Sequence, residues 1–264
     1  IVQTKIDLVG REDAAKNYKE IKEFVKGTIL ENSPIIPVSA QQGVNIDSVI
    51  EAIEKSIPTP ERDDSKELRM LVARSFDINR PGAGIKKLTG GVLGGSILQG
   101  KLKIGDGIEI RPGNRTGTKY KPILTKVVGL QKAGIDLEEA GPGGLLGVLT
   151  SLDPFITKSD SLVGNIVGLP GKLPETRDQL SLEIKLLERA VGLDKAANIS
   201  PIKIGEDLMI NVGTARSIGS VESMKKERME LNIRIPVCVE EKERIVVSRQ
   251  ISGRWRLIGF GTVI

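Results

Sequence analysis

The spacing of apolar residues changes character once along the chain. Over residues 1–58, short apolar runs alternate with stretches whose apolar positions recur every three to four residues. From residue 67 onward the runs are short, frequent and bounded by glycine, proline, asparagine or aspartate. In the first region Ile1-Val2-Gln3 and Ile35-Ile36-Pro37-Val38 predict strands, each followed by a helical pattern. The first helix is expected over 12–26, with Ala14, Tyr18, Ile21 and Val25 on one stripe and Gly27 as the left-handed residue that ends it. The second is expected to start after Asn45, an N-cap residue type, to repeat Ile46, Val49, Ile50, Ile53 and Ile57, and to stop at Pro58. Strand–helix–strand–helix predicts a parallel pair. Two strands are too few for an independent sheet, so 1–58 is expected to be the last part of a larger α/β domain, loose on its own.

Residues 59–65 form a linker of proline and charge. Two β-rich regions follow, 66–170 and 171–264, divided at Gly171-Lys-Leu-Pro174. In the first, strands are expected at 70–73, 91–98, 102–110, 145–149 and 162–169, with a polar loop at 113–121 and a turn at 140–144. Ile108 and Ile110 share one face and Glu109 and Arg111 the other, the period of a strand with one buried face. Gly90-Gly91 and Gly94-Gly95 flank Val92-Leu93. Such glycines mark either a closing corner of a barrel or a bare patch that a ligand approaches closely. In the second region strands are expected at 180–187, 207–212, 219–221, 229–239, 245–250 and 254–264, with a helical turn over 189–197. The pattern as a whole predicts an α/β remnant followed by two all-β barrels.

Composition narrows the chemistry. Hydrophobic residues make up 39% and charged residues 28%, an ordinary globular balance, while aromatics at 3% require aliphatic cores. No apolar run approaches the ~18–20 residues that a membrane helix needs. Ile1 is not an initiator methionine, so the chain is expected to lack its start. The single cysteine, Cys238, fits a reducing compartment and is expected to be a small buried hydrophobe. The absence of histidine excludes histidine-based triads and most zinc sites. The net charge of +5 is divided as −2 over 1–58, +4 over 59–170 and +3 over 171–264, which is compatible with nucleic acid on the β-rich parts.

Thr4-Lys5-Ile6-Asp7 ends the first predicted strand and Ser39-Ala40-Gln41 the second. Ligands of open α/β sheets bind at the carboxyl ends of strands. A carboxylate there accepts from the N1–H and N2–H₂ edge of guanine, which adenine does not offer, and backbone N–H groups on the second tip suit guanine O6. Arg249, Arg254, Trp255 and Arg256 form a basic–aromatic cluster. Strand alternation places Trp255 opposite the two flanking arginines, hence in the core.

These tips and several longer stretches carry a resemblance. RSFDINRPG, GGVLGGSILQGKLKIGDGIEIRPG, GPGGLLGV, LLERAVG and SRQISGRWRLIGFGTVI resemble the gamma subunits of archaeal and eukaryotic translation initiation factor two, a branch of the translational GTPases. The resemblance implies the fold read above: the C-terminal part of a P-loop GTPase domain, then two β-barrel domains. It implies that Thr4, Lys5, Ile6 and Asp7, matching the family's NKxD, and Ser39, Ala40 and Gln41 contact the guanine of GTP or GDP. Thr4 departs from the family's asparagine and shortens the reach toward the base. No GxxxxGK[ST] occurs in the sequence, and no DxxG switch, since Asp7-Leu-Val-Gly10 belongs to the base motif. Those elements, and the Mg²⁺ they hold, are expected upstream of Ile1, so no catalytic residue is assigned and this chain alone is expected not to hydrolyse GTP. Candidates for tRNA contact are Arg74, Arg80, Lys86, Lys87, Gly90, Gly91, Arg111 and Arg115. The implied partners are the alpha and beta subunits of a cytoplasmic heterotrimer, initiator methionyl-tRNA and the small ribosomal subunit, without a membrane. A selenocysteine-type elongation factor, or a nucleotide-independent module made of the barrels, stands as the alternative.

Overall fold

The structure, a computed structural model, describes residues 1–82, 84, 87–117, 119–187 and 199–264. The turn expected at 189–197, most of the LLERAVG stretch and Lys86 lie outside the described residues. The chain packs as two units, 1–61 and 62–264.

The first unit contains β1 (Val2–Gln3), α1 (Arg11–Val25), β2 (Ile36–Pro37) and α2 (Ile46–Ser56). The strands pair in parallel, Val2 opposite Ile36 and Gln3 opposite Pro37. The expected stripe of α1 is the one that packs: Val25 is buried, and Ala14, Tyr18 and Ile21 are half-buried. Gly27 takes the left-handed φ of 74° just past its end. Gln3 ties β1 to this helix, its Nε2 donating to Ala14 O at 2.8 Å and Asn17 Oδ1 at 3.1 Å. Asn45 precedes α2 as expected but does not cap it with its side chain. Its Nδ2 donates instead to Pro37 O at 2.8 Å, fastening the loop to β2.

In the second unit the first barrel comprises β3 (Arg69–Phe76), β4 (Val92–Gln99), β5 (Leu102–Lys103), β6 (Gly107–Thr116), β7 (Lys119–Lys132), β8 (Ile135–Leu137), β9 (Glu139–Ala140), β10 (Leu146–Thr150), α3 (Pro154–Thr157) and β11 (Ile166–Gly168). Six strands close in the order β10-β4-β3-β11-β6-β7, with β7 returning to β10; β8 extends β7, and β5 pairs with β9. The strand expected at 70–73 extends to Phe76, β7 and β8 lie where no strand is expected, and three further stretches differ from the sequence reading. The run at 102–110 breaks at Ile104-Gly105-Asp106, where Gly105 has φ 92° and the Asp106 carboxylate accepts the Lys103 N–H at 2.8 Å. The expected polar loop at 113–121 is the paired end of β6 and β7, Asn114 opposite Lys121. The expected strand at 162–169 shortens to Ile166–Gly168, although Leu162 is buried in the core.

The second barrel is β12 (Thr176–Leu186), β13 (Asp207–Val212), β14 (Ala215–Lys225), β15 (Arg228–Cys238), β16 (Arg244–Ile251) and β17 (Arg254–Val263), closed in the order β12-β15-β14-β13-β16-β17. Both barrel cores are aliphatic apart from methionine, as the scarcity of aromatics required.

The join between the barrels is packed. Cys238 lies with Ile166 and Leu173, and its Sγ donates to Pro174 O at 3.0 Å. Burial pushes this thiol up to about 11. Glu109 does not face solvent: it is 5% exposed, and its carboxylate accepts from Arg111 Nε and from the Gly171 N–H, both at 2.7 Å. Arg111 Nη1 reaches Pro174 O at 3.2 Å, and Arg69 pairs with Glu240. The alternation of Ile108 and Ile110 with Glu109 and Arg111 thus marks a strand covered on both faces, by the core on one and by the connector between barrels on the other.

Candidate functional site

The two strand tips of the first unit lie side by side because their strands are paired. Beyond the register, Val38 N–H donates to Gln3 O at 2.8 Å and Ile6 N–H donates back to Val38 O at 3.3 Å. Lys5 sits at φ 61°, a left-handed conformation that costs a non-glycine residue about 1–2 kcal/mol. It turns the chain into the short helical turn Ile6–Leu8, closed by Leu8 N–H on Lys5 O at 3.1 Å. Thr4, Lys5 and Asp7 face solvent, with Ile6 half-buried beneath them. On the second tip Ser39 is buried, its Oγ accepts the Gln42 N–H at 3.2 Å, and it exchanges backbone bonds with Val44. Ala40 and Gln41 are exposed. The Asp7 carboxylate and the N–H groups of Ala40 and Gln41 make no hydrogen bond among the described residues. An unpaired acceptor and two unpaired donors on adjoining tips suit the hydrogen-bonding edge of guanine. A cavity of about 420 Å³ opens between the first tip and α1, lined by Thr4, Lys5, Ile6, Asp13 and Asn17, and neither Asp7 nor the second tip lines it. Among the described residues no cluster of three or more acidic, cysteine or histidine side chains could hold a metal ion.

The candidates on the first barrel separate into two groups. Arg74 is exposed and its Nε donates to Asp160 at 2.9 Å; the Asp160 carboxylate also accepts the Ser75 N–H at 3.0 Å. The Arg74 guanidinium and that N–H hold the Asp160 carboxyl below its ordinary value. Arg80 and Lys87 are exposed, and Arg115, also exposed, lends Nε to Gly117 O at 3.0 Å. All four face solvent, Arg74 with its charge shared with Asp160. Arg111 does not, because Glu109 neutralises it inside the join. The glycines serve closure. A Cβ on Gly90 would stand 1.8 Å from Thr150 O, one on Gly95 1.9 Å from Leu71 O, and one on Gly91 2.2 Å from Thr157 Oγ1. Gly91 is buried, and Thr150 Oγ1 donates to its carbonyl at 2.7 Å. What these glycines admit is the chain's own backbone at Gly90 and Gly95 and the Thr157 side chain at Gly91. Asn79, which sequence reasoning passed over, bridges the loop before β4: its Oδ1 accepts the Thr89 N–H and its Nδ2 donates to Thr89 O, both at 2.8 Å.

The C-terminal basic–aromatic cluster is taken apart. Arg249 is largely buried, bound to Glu206 and to Ser200 O at 2.7 Å. Trp255, expected in the core, is instead 36% exposed.

Comparison with known proteins places this architecture. Residues 178–263 match the family described as initiation factor eIF2 gamma, C terminal, and residues 90–169 match elongation factor Tu domain 2. Translation initiation factor 2 subunit gamma of Pyrococcus furiosus is 56% identical over 267 residues, covering 100% of this chain and 65% of its own length. The subunits of Methanococcus maripaludis and Methanocaldococcus jannaschii are each 51% identical with the same coverage. The chain therefore spans about two thirds of the length of these relatives, 65%. Among solved structures, elongation factor SelB of Methanococcus maripaludis with the GTP analogue GppNHp superposes with a TM-score of 0.76 at 21% identity, covering 99% of this chain and 57% of that one. Bacterial selenocysteine-specific elongation factor EF-Sec gives 0.74 at 23% identity, covering 99% and 39%. At such identities these two share the fold. With relatives at 50–56% identity along its whole length, the chain belongs to the family of translation initiation factor 2 gamma subunits.

Proposed function

We propose that this chain serves translation initiation as part of a gamma subunit that reads guanine nucleotide and carries initiator methionyl-tRNA to the small ribosomal subunit, in a heterotrimer with alpha and beta subunits. The observation that carries the reading is the 56% identity with an initiation-factor gamma subunit across 100% of the chain. The selenocysteine-factor alternative rests on structures 20–23% identical, a likeness of fold. In this reading Asp7 accepts from N1–H and N2–H₂ of the guanine of GTP or GDP, and the Ala40 and Gln41 N–H groups lie toward O6, with the Lys5 stem along the ring. The nucleotide supplies the signal; these residues hold its base. Phosphate and Mg²⁺ contacts are assigned to none of them, since the sequence has no P-loop motif. Arg74, Arg80, Lys87 and Arg115 supply phosphate contacts to tRNA, which orient it without reading its sequence. Arg111, Gly90 and Gly91 support that surface from within. No helix among the described residues is long and apolar enough to cross a membrane.

The test is binding of initiator methionyl-tRNA to this chain over a salt series, with and without GTP, against an elongator tRNA. Preferential, salt-sensitive binding is expected. Equal affinity for both tRNAs at every salt concentration would overturn the initiator assignment, and binding that ignores GTP would favour a nucleotide-independent barrel module.

A further inference from the structure

The β6–β7 hairpin of the first barrel and the second barrel border one cleft of about 680 Å³. Arg115 and Tyr120 come from that hairpin; Arg216, Arg234, Ile235 and Trp255 come from the second barrel. Trp255 is the chain's single tryptophan and Tyr120 one of its two tyrosines, in a protein with only 3% aromatic residues. Large aromatic side chains normally stabilise a fold by burying their area, yet Trp255 keeps 36% of its surface open. Three guanidinium groups share the cleft. Arg234 pairs with Asp207 at 2.7 Å, Arg115 spends only Nε on a carbonyl, and Arg216 has no hydrogen-bond or ion-pair partner among the described residues. A net positive cleft with open aromatic rings is the combination by which proteins hold single-stranded nucleic acid: cations track the phosphates, and rings stack the bases.

We infer that this inter-barrel cleft is a second RNA site, which takes a short single-stranded segment with a base on Trp255 and phosphates on Arg216 and Arg115. It shares Arg115 with the surface proposed for tRNA, while Arg74, Arg80 and Lys87 do not line it. An acidic protein segment would answer the arginines but leave the aromatic rings without partners, so RNA is the better match. The site reads no sequence, because stacking accepts every base and phosphate contacts are uniform.

Trp255 reports on its own site, since no other tryptophan contributes fluorescence. Titration with an oligouridylate of about ten nucleotides is expected to quench it saturably, and more weakly as salt rises. Arg216→Gln is expected to weaken binding several-fold and to lower the log–log salt slope by about one. Trp255→Ala, followed by anisotropy of labelled RNA, is expected to lose about tenfold or more, and Trp255→Phe to retain most of the binding. Trp255 and Arg216 are exposed, and unchanged unfolding midpoints would establish that these variants fold. Losses shared by initiator tRNA would assign the strand to its unpaired end, and losses confined to the oligonucleotide would assign it to another RNA; both retain the site. RNA binding without quenching, binding untouched by Trp255→Ala and Arg216→Gln, or equal quenching by polyglutamate would overturn the proposal.

Discussion

Within residues 1–61 the buried apolar side chains are Val25 and Val38, while Ile46, Ile50, Ile53 and Ile57 along α2 remain exposed. Residues 62–264 bury two aliphatic clusters, one inside each barrel, and a third at the join. The hydrogen-bonding groups left unpaired at the strand tips, Asp7 and the Ala40 and Gln41 N–H groups, lie in the first of these regions. Unpaired polar groups cost nothing in water, so a recognition site of this kind needs positioning more than burial. Two parallel strands and the Gln3 anchor provide that positioning with little core. The barrels invert the balance: burial fixes a rigid shape, and Glu109 at their join is paired on both sides, while Thr214 Oγ1 and Arg256 Nε are buried without a partner among the described residues.

The sharpest way to break that contrast is to remove core from the barrels. Leu182 is fully buried. Leu182→Ala is expected to cost about 2–5 kcal/mol in urea unfolding of the barrels and to leave guanine binding unchanged. A joint loss of both would show that the strand tips borrow their order from the barrels. Glu109→Gln comes next. The change removes a buried charge that accepts two bonds and leaves Arg111 beside a neutral amide, so a loss of about 1.5–3 kcal/mol is expected. A stability within 0.5 kcal/mol of the parent, about the range of an ordinary surface change, would show that the join between the barrels does not depend on it.

A smaller thermodynamic effect but a larger functional one is expected at Asp7. Asp7→Asn leaves one acceptor and introduces a donor against guanine's own donors. Affinity for GDP should fall about tenfold or more, as befits losing a bond to a charged group, with the unfolding midpoint unmoved because Asp7 is exposed and has no hydrogen-bond partner among the described residues. Retained guanine affinity would sink the base-contact assignment.

Much of this was legible in the sequence, and the exceptions share a cause. The α1 stripe and the strands at 207–212 and 245–250 follow from local periodicity, because each is covered by one neighbouring layer. Trp255 is misplaced by reading both flanking arginines as the solvent face, whereas Arg256 is half-buried with its Nε covered. The β16–β17 register shifts between Val247 and Ser248, so the covered face beyond the bulge is that of Arg256 and the open one that of Trp255. Glu109 and Arg111 read as a solvated face because the connector that covers them lies about 60 residues away in sequence. The unpaired groups at the strand tips were legible as a motif, but the cleft around Trp255 was not, since its lining comes from two barrels.

The smallest expected effect tests whether the barrel surface has any electrostatic order of its own. Asp160 adopts φ 59° and holds it with a carboxylate that accepts from Arg74 and from the Ser75 N–H. Its folded pKa is lowered from 3.8, so the unfolded chain binds the proton more readily. The contribution is therefore complete above the ordinary aspartate range and disappears as pH falls through the lowered folded value. Solvent reaches the pair and screens it, and the effect should appear only as a slightly shallower acid limb of stability in Asp160→Asn, with no change at neutral pH beyond the lost pairing. An acid limb identical in both proteins would mean that Arg74 is held by water as much as by Asp160, leaving its charge wholly available to a phosphate.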